Sequence, residues 1–169
     1  MDNFYEQLVK TTPAKAYGIA NGLLYVFAIF AAVFLSTGRV GGIILAVIFA
    51  ALTAAVFYFK KYLYAEYEYN FGASEIDFDA IYELKKRKRL ITINVKDIEL
   101  LAPADSDVIK DFSNKPSKIM NLYPKGCENR VYSAIVTGGT KKVTINFTPD
   151  EKMIDLCFRV NPKAVKKNL

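Results

Sequence analysis

The chain contains no histidine. That removes Ser-His-Asp and Cys-His nucleophile systems and every histidine-ligated metal site. Cysteine is almost as scarce, with two in 169 residues. Two thiols cannot build a four-cysteine zinc site. Cys127 falls in a turn and Cys157 on the last apolar-striped segment. Both read as packing or inert positions that stay reduced in a cytoplasmic setting. No glycine-rich loop opens a helix, so there is no phosphate cradle of that kind. The segment "DSDVIKD", with Asp105, Asp107 and Asp111, lacks the central glycine and final glutamate of a calcium loop. Asp77 and Asp79 flank Phe78 as a pair of carboxylates. No second ligand cluster accompanies them, and they read as a solvated strand face. These absences argue against an enzyme. No catalytic residue, cofactor-binding residue, metal ligand or cofactor is expected.

Charge is missing from two long runs. The first is "AYGIANGLLYVFAIFAAVFLS", 16–36, and the second "VGGIILAVIFAALTAAVFYF", 40–59. Each has about 20 residues. A helix rises about 1.5 Å per residue, so each spans the roughly 30 Å hydrocarbon core of a bilayer. Neither run has the polar face of a soluble core helix. The link "TGRV" permits only a tight helical hairpin. The first run is too long for a signal core, its leading region carries Asp2 and Glu6, and a second span follows at once. It is read as retained. Lys10 and Lys15 precede the first span, Lys60 and Lys61 close the second, and the tip holds only Arg39. The positive-inside rule then puts both termini in the cytoplasm of a multi-pass cell-membrane protein. Gly18 and Gly22, Ala28 and Ala32, and Ala46, Ala50 and Ala54 recur four apart. Such faces let helices approach closely, either within the hairpin or between molecules. Asn21 reads as a wet or locally bonded amide near the headgroups.

Residues 1–15 are predicted to form an interfacial segment. Phe4, Tyr5 and Leu8 stand at helical spacing, with Asp2 or Asn3 as cap and Pro13 as the stop. Residues 16–60 form the hairpin. From residue 66 to 169 the period changes to 2. In "EYEYNFG", Tyr67, Tyr69 and Phe71 alternate with Glu66, Glu68 and Asn70. In "EIDFDAI", Ile76 and Phe78 alternate with Glu75, Asp77 and Asp79. "RLITINV" and "IELLAP" follow, then a polar stretch 102–118 with one helical turn near 108–112, then strands at 119–123, 130–137 and 142–148. A final helix is predicted with Thr148 as N-cap, Pro149 in the first helical position and Glu151 completing a capping box. Its apolar stripe is Met153, Ile154, Cys157 and Phe158, with Val160 as a further candidate, Phe158 buried and Pro162 as the stop.

That order of elements resembles the pleckstrin-homology-like domains of bacterial membrane proteins over Glu66 to about Pro162. The stretches "MDNFYEQLV", "YEYNF…EIDFDAI…RKRLITINVKDIELLAP" and "FTPDEKMI" are similar to an uncharacterised family of small two-transmembrane-helix proteins from Gram-positive bacteria, over the whole chain. The resemblance implies a membrane α-helical hairpin plus a soluble β-rich (α+β) domain. The domain would be an antiparallel half-open PH-like barrel, closed by the C-terminal helix, with one wet sheet face. It brings no catalytic residue.

The candidate site is the run Lys85, Lys86, Arg87, Lys88, Arg89. Two readings stand. The charges pair with the acidic rows of Glu66, Glu68, Glu75 and Asp77, at about 0.2–1 kcal/mol per cross-strand pair. Alternatively they contact anionic lipid headgroups or a protein partner, each basic residue contributing about 1 kcal/mol near an anionic leaflet. Nucleic acid is not expected. No aromatic interleaves with the run, and from residue 66 onward 18 basic residues face 15 acidic ones. The expected function is a membrane-anchored, non-enzymatic binding or scaffold module. The alternative is a regulatory subunit of a larger membrane complex, docked through its spans. For topology, an impermeant thiol reagent on intact cells should label a Thr37→Cys variant and miss native Cys127. Labelling of Cys127 would reverse the orientation.

Overall fold

The computed structural model describes residues 4–139 and 142–167. The chain divides into two compact units, residues 12–65 and residues 1–11 with 66–169. In the first, α1 (Lys15–Ser36) and α2 (Val40–Phe59) form a hairpin, followed by one 3-10 turn at Lys60–Leu63. By length and composition both helices can cross a membrane. Their seam is aromatic. Phe27, Phe30 and Phe34 of α1 lie 6.0, 5.2 and 5.7 Å from the Phe49 ring of α2, and Ala20 and Ala46 are buried beside them. The return is tight because Gly42 has no side chain: a Cβ there would stand 1.9 Å from Thr37 Oγ1 and 2.7 Å from the Phe34 carbonyl oxygen. At the other end Lys60 Nζ donates to Asn21 Oδ1 at 3.0 Å, so the Asn21 amide is locally bonded. The recurring small residues serve this hairpin less than their spacing suggests. Only Ala46 packs inward, while Gly18, Gly22, Ala28, Ala32, Ala50 and Ala54 face out. Phenylalanine rings fill the seam there, leaving these small residues no close approach to make.

The expected N-terminal helix is instead a strand. β1 (Tyr5–Val9) pairs antiparallel with β2 (Ala65–Gly72), from Tyr5↔Phe71 to Val9↔Tyr67. The spacing of Phe4, Tyr5 and Leu8 suits a helix, but Tyr5, Gln7 and Val9 also alternate. So short a helix does not repay its nucleation, whereas the strand gains a full ladder. Asp2 and Asn3, the expected caps, lie outside the described residues. Gln7 brackets the chain before the last helix, donating to the Thr148 carbonyl and accepting from Asp150 N, both at 2.9 Å. The Tyr5 hydroxyl donates to Asp150, and that bond pushes its pKa up to about 12.

β3 (Glu75–Tyr82) and β4 (Lys86–Asn94) complete a first sheet in the order β1-β2-β3-β4. The second sheet holds β5 (Ile98–Pro103), β6 (Ile119–Asn121), β7 (Tyr132–Val136) and β8 (Val143–Phe147) in the order β5-β7-β8-β6. These are two separate sheets and no closed barrel. They are not wholly antiparallel either, since β6 runs parallel to β8: the polar crossover that contains the single turn α3 (Asp107–Lys110) returns the chain in the same sense. Tyr69, Phe78 and Phe147 meet edge-to-face at 5.2–5.4 Å in the core.

α4 (Glu151–Val160) is capped by Asp150, whose side chain accepts from Met153 N at 2.8 Å. The expected cap, Thr148, is fully buried, and its amide donates to the Tyr69 hydroxyl. Met153, Ile154 and Cys157 enter the core, and burial pushes the Cys157 thiol to about 12, so it stays protonated and unreactive. Phe158 does not follow them. It is 36% exposed under the Lys167 ammonium. At about 100° per residue, position 158 falls beyond the edge of the stripe set by 153, 154 and 157. Met153→Ala should therefore cost about 2–5 kcal/mol, and Phe158→Ala only about 0.5 kcal/mol. Thermal melts of the intact chain in detergent check this, and equal losses would place Phe158 in the core after all.

Candidate functional site

The basic run occupies the start of β4, and the β3–β4 register decides which way each side chain points. Phe78 pairs with Ile91, but Asp79 pairs with Arg89, so one extra residue, Leu90, bulges out of the ladder. Without that bulge Arg89 would share the core face of Ile91 and Ile93. The bulge re-aims it. Arg89 and Arg87 land on the outer face, beside the carboxylates of β2 and β3.

There the acidic row is not solvated as expected. Glu68 and Asp79 side chains are each only 3% exposed. Arg89 Nη1 lies 2.9 Å from Asp77 Oδ2, and its Nε donates to Asp79 Oδ1 at 3.0 Å. The bond to Asp79 pushes the guanidinium pKa further above its ordinary value. Arg87 pairs with Glu68 and stands 4.0 Å from Glu6. Asn70 Nδ2 donates to Glu68 Oε1 at 2.7 Å, and Thr92 Oγ1 to Asp77 Oδ1 at 2.6 Å. Buried carboxylates demand such partners, and the planar guanidinium, with donors on two edges, can hold two at once. Asp77 and Asp79 therefore serve the sheet, as partners of Arg89 and Thr92.

The remaining three basic residues differ. Lys85, Lys86 and Lys88 are exposed, with no side-chain partner among the described residues. They follow a turn in which Lys85 N donates to the Tyr82 carbonyl at 3.0 Å and Glu83 and Leu84 take φ of 50° and 56°, the signature of a type I′ hairpin. Leu84 is 58% exposed at its tip. β2 and β3 are eight residues each, joined by the two-residue turn Ala73–Ser74. β3 therefore ends beside the start of β2. Val9 pairs with Tyr67 at that same end. The turn with Leu84 and the lysines thus stands at the end of the sheet where the chain departs for α1 and returns from α2.

The five residues of the run separate into two arginines that neutralise the sheet and three lysines that do not. Leu84 was not among the expected site residues, and only its place beside the lysines signals it. A concavity of about 440 Å³ is lined by Gln7, Asn129, Arg130, Tyr132, Asp150 and Ile154. Its Gln7 and Asp150 are spent on β1 and the α4 cap, and Arg130 reaches Asp105 at 3.7 Å. Among the described residues no group of three or more acidic or cysteine side chains is placed to hold a metal ion.

Two four-stranded sheets and a C-terminal helix whose apolar stripe enters their core define a PH-like domain, here carrying two apolar helices between its first two strands. The chain belongs to the family described as Bacterial PH-like domain (DUF6106), which matches residues 1–167. No curated protein and no solved structure matches it. PH-like domains are in general non-catalytic binding modules. Arg87→Gln and Arg89→Gln should each lower stability by about 1–3 kcal/mol, because each leaves a buried carboxylate short of donors. Lys85→Gln, Lys86→Gln and Lys88→Gln should each change it by less than about 0.5 kcal/mol. Equal losses across all five in thermal melts would refute the division.

Proposed function

We propose that the chain is a membrane-anchored, non-enzymatic binding module that rests on anionic lipid headgroups through Lys85, Lys86 and Lys88. The observation that carries this reading is the split of the basic run: three lysines stay unpaired, at the end of the sheet from which the chain runs into the apolar helices. At about 1 kcal/mol each near an anionic leaflet, three lysines contribute about 3 kcal/mol, a bias on the order of a hundredfold. The pairing of β1 with β2 supports termini on one side, since strands on either side of the hairpin share a ladder. The lysines flanking the spans favour the cytoplasm for that side. The buried stripe of α4 supports its role as the helix that closes a half-open barrel.

The alternative, a regulatory subunit docked through its spans, draws on Gly18 and Gly22, which the hairpin leaves facing outward. Co-purification of a second membrane protein, lost on widening those glycines, would favour it.

The test of the lipid contact is an amine-reactivity footprint of the full chain in nanodiscs. In phosphatidylcholine with added phosphatidylglycerol, acylation of Lys85, Lys86 and Lys88 should fall several-fold relative to phosphatidylcholine alone. High salt should restore it, since exposed charges are screened within about 8 Å at 0.15 M. Exposed Lys125 serves as the internal reference. Equal acylation of the three lysines in both membranes would sink the proposal.

A further inference from the structure

We infer that the β3–β4 turn dips into the bilayer, with Leu84 entering the boundary between headgroups and acyl chains while Lys85, Lys86 and Lys88 hold the phosphates around it. This rests on the lipid contact proposed above and adds an apolar component to it. The first sheet supplies its own comparison. It has two turns of the same left-handed geometry, Ala73–Ser74 and Glu83–Leu84. Such turns favour glycine or asparagine. The turn at the opposite end of the sheet from the chain's departure carries a small and a polar residue. The turn at the end next to the chain's departure carries a leucine, 58% exposed, on a backbone that suits leucine poorly. Three unpaired lysines follow it within four positions. Glu83, half-buried, is the only acidic residue of the tip, so the charge there remains positive. An apolar point ringed by cations is complementary to an anionic membrane surface, which offers phosphates outside and hydrocarbon beneath.

The chain has no tryptophan, so Leu84→Trp introduces a single reporter. Glu75→Trp, exposed at the remote end of the same sheet, is its control. Both full-length variants are reconstituted into phosphatidylcholine and phosphatidylglycerol liposomes with brominated acyl chains. Leu84→Trp should be quenched at least threefold more than Glu75→Trp, emit at shorter wavelength, and resist aqueous iodide. Equal quenching by the brominated lipid overturns the inference. So does a Leu84→Trp signal shielded from iodide yet insensitive to bromine, which would mark a protein surface over the tip. The lysine footprint in the same liposomes separates the two proposals. If the lysines remain protected while Leu84→Trp is not quenched, the charge contact stands and the insertion falls. If neither responds, both fall. Tryptophan itself favours interfaces, so Leu84→Asn completes the test. Asparagine suits the turn and should not lower the melting temperature, but acylation of the three lysines in anionic membranes should rise at least twofold. An unchanged footprint in Leu84→Asn would remove Leu84 from the contact.

Discussion

The ladder between residues 5–9 and 67–71 is the constraint on which the rest of the structure depends. It joins the chain before the apolar hairpin to the chain after it. The hairpin is thus an insertion between two neighbouring strands of one sheet. Everything that gives the β3–β4 turn its position follows from this pairing. It brings the exit and return of the hairpin to one end of the sheet, and the equal lengths of β2 and β3 carry the next turn back to the same end. The same strand clamps α4, because Gln7 and Tyr5 hold the residues that begin and cap it.

Burying carboxylates is the second device. Glu68 and Asp79 lie in a nearly closed face, which is tolerable only with strong donors at hand. Arginine meets that need with two fixed edges of donors, and lysine, a compact and strongly hydrated charge, does not. Residue type therefore sorts the five basic positions. The two arginines lie two apart on the face of the carboxylates, and the lysines fill the positions that the sheet does not need. A single bulged residue, Leu90, makes the sorting possible by switching the faces at that point.

Much of the fold was legible. The two apolar runs state their helices by length alone, and strict alternation in "EYEYNFG" and "EIDFDAI" locates β2 and β3 within a residue. The helix α4 was found as well, though its cap was displaced by two positions because Thr148 is drawn into the core by the Tyr69 hydroxyl. What was not legible depends on partners distant in sequence. Five residues at 5–9 fit either a helix or a strand until β2 is beside them. The parallel pairing of β6 follows from where a loop returns, which no local pattern encodes. The five charges read as one patch, because a bulge leaves no mark in an alternating sequence. Gly18 and Gly22 show the converse: spacing that suits close packing does not name the surface it packs against.

The pairing of Val9 with Tyr67 also sets a schedule. The partners are separated by 58 positions along the chain, and synthesis proceeds at about 5–20 residues per second. For several seconds after Val9 emerges, β1 has nothing to pair with, while the whole apolar hairpin is being made. The first strand born thus waits for the whole hairpin before its own ladder can form. Once β2 arrives, closing the ladder draws together two points between which the hairpin has already formed, so the loop that must be closed is far shorter than its residue count. A prompt hairpin shortens the search for the sheet, and a slow one leaves the edge of β2 open to pairing with the wrong chain.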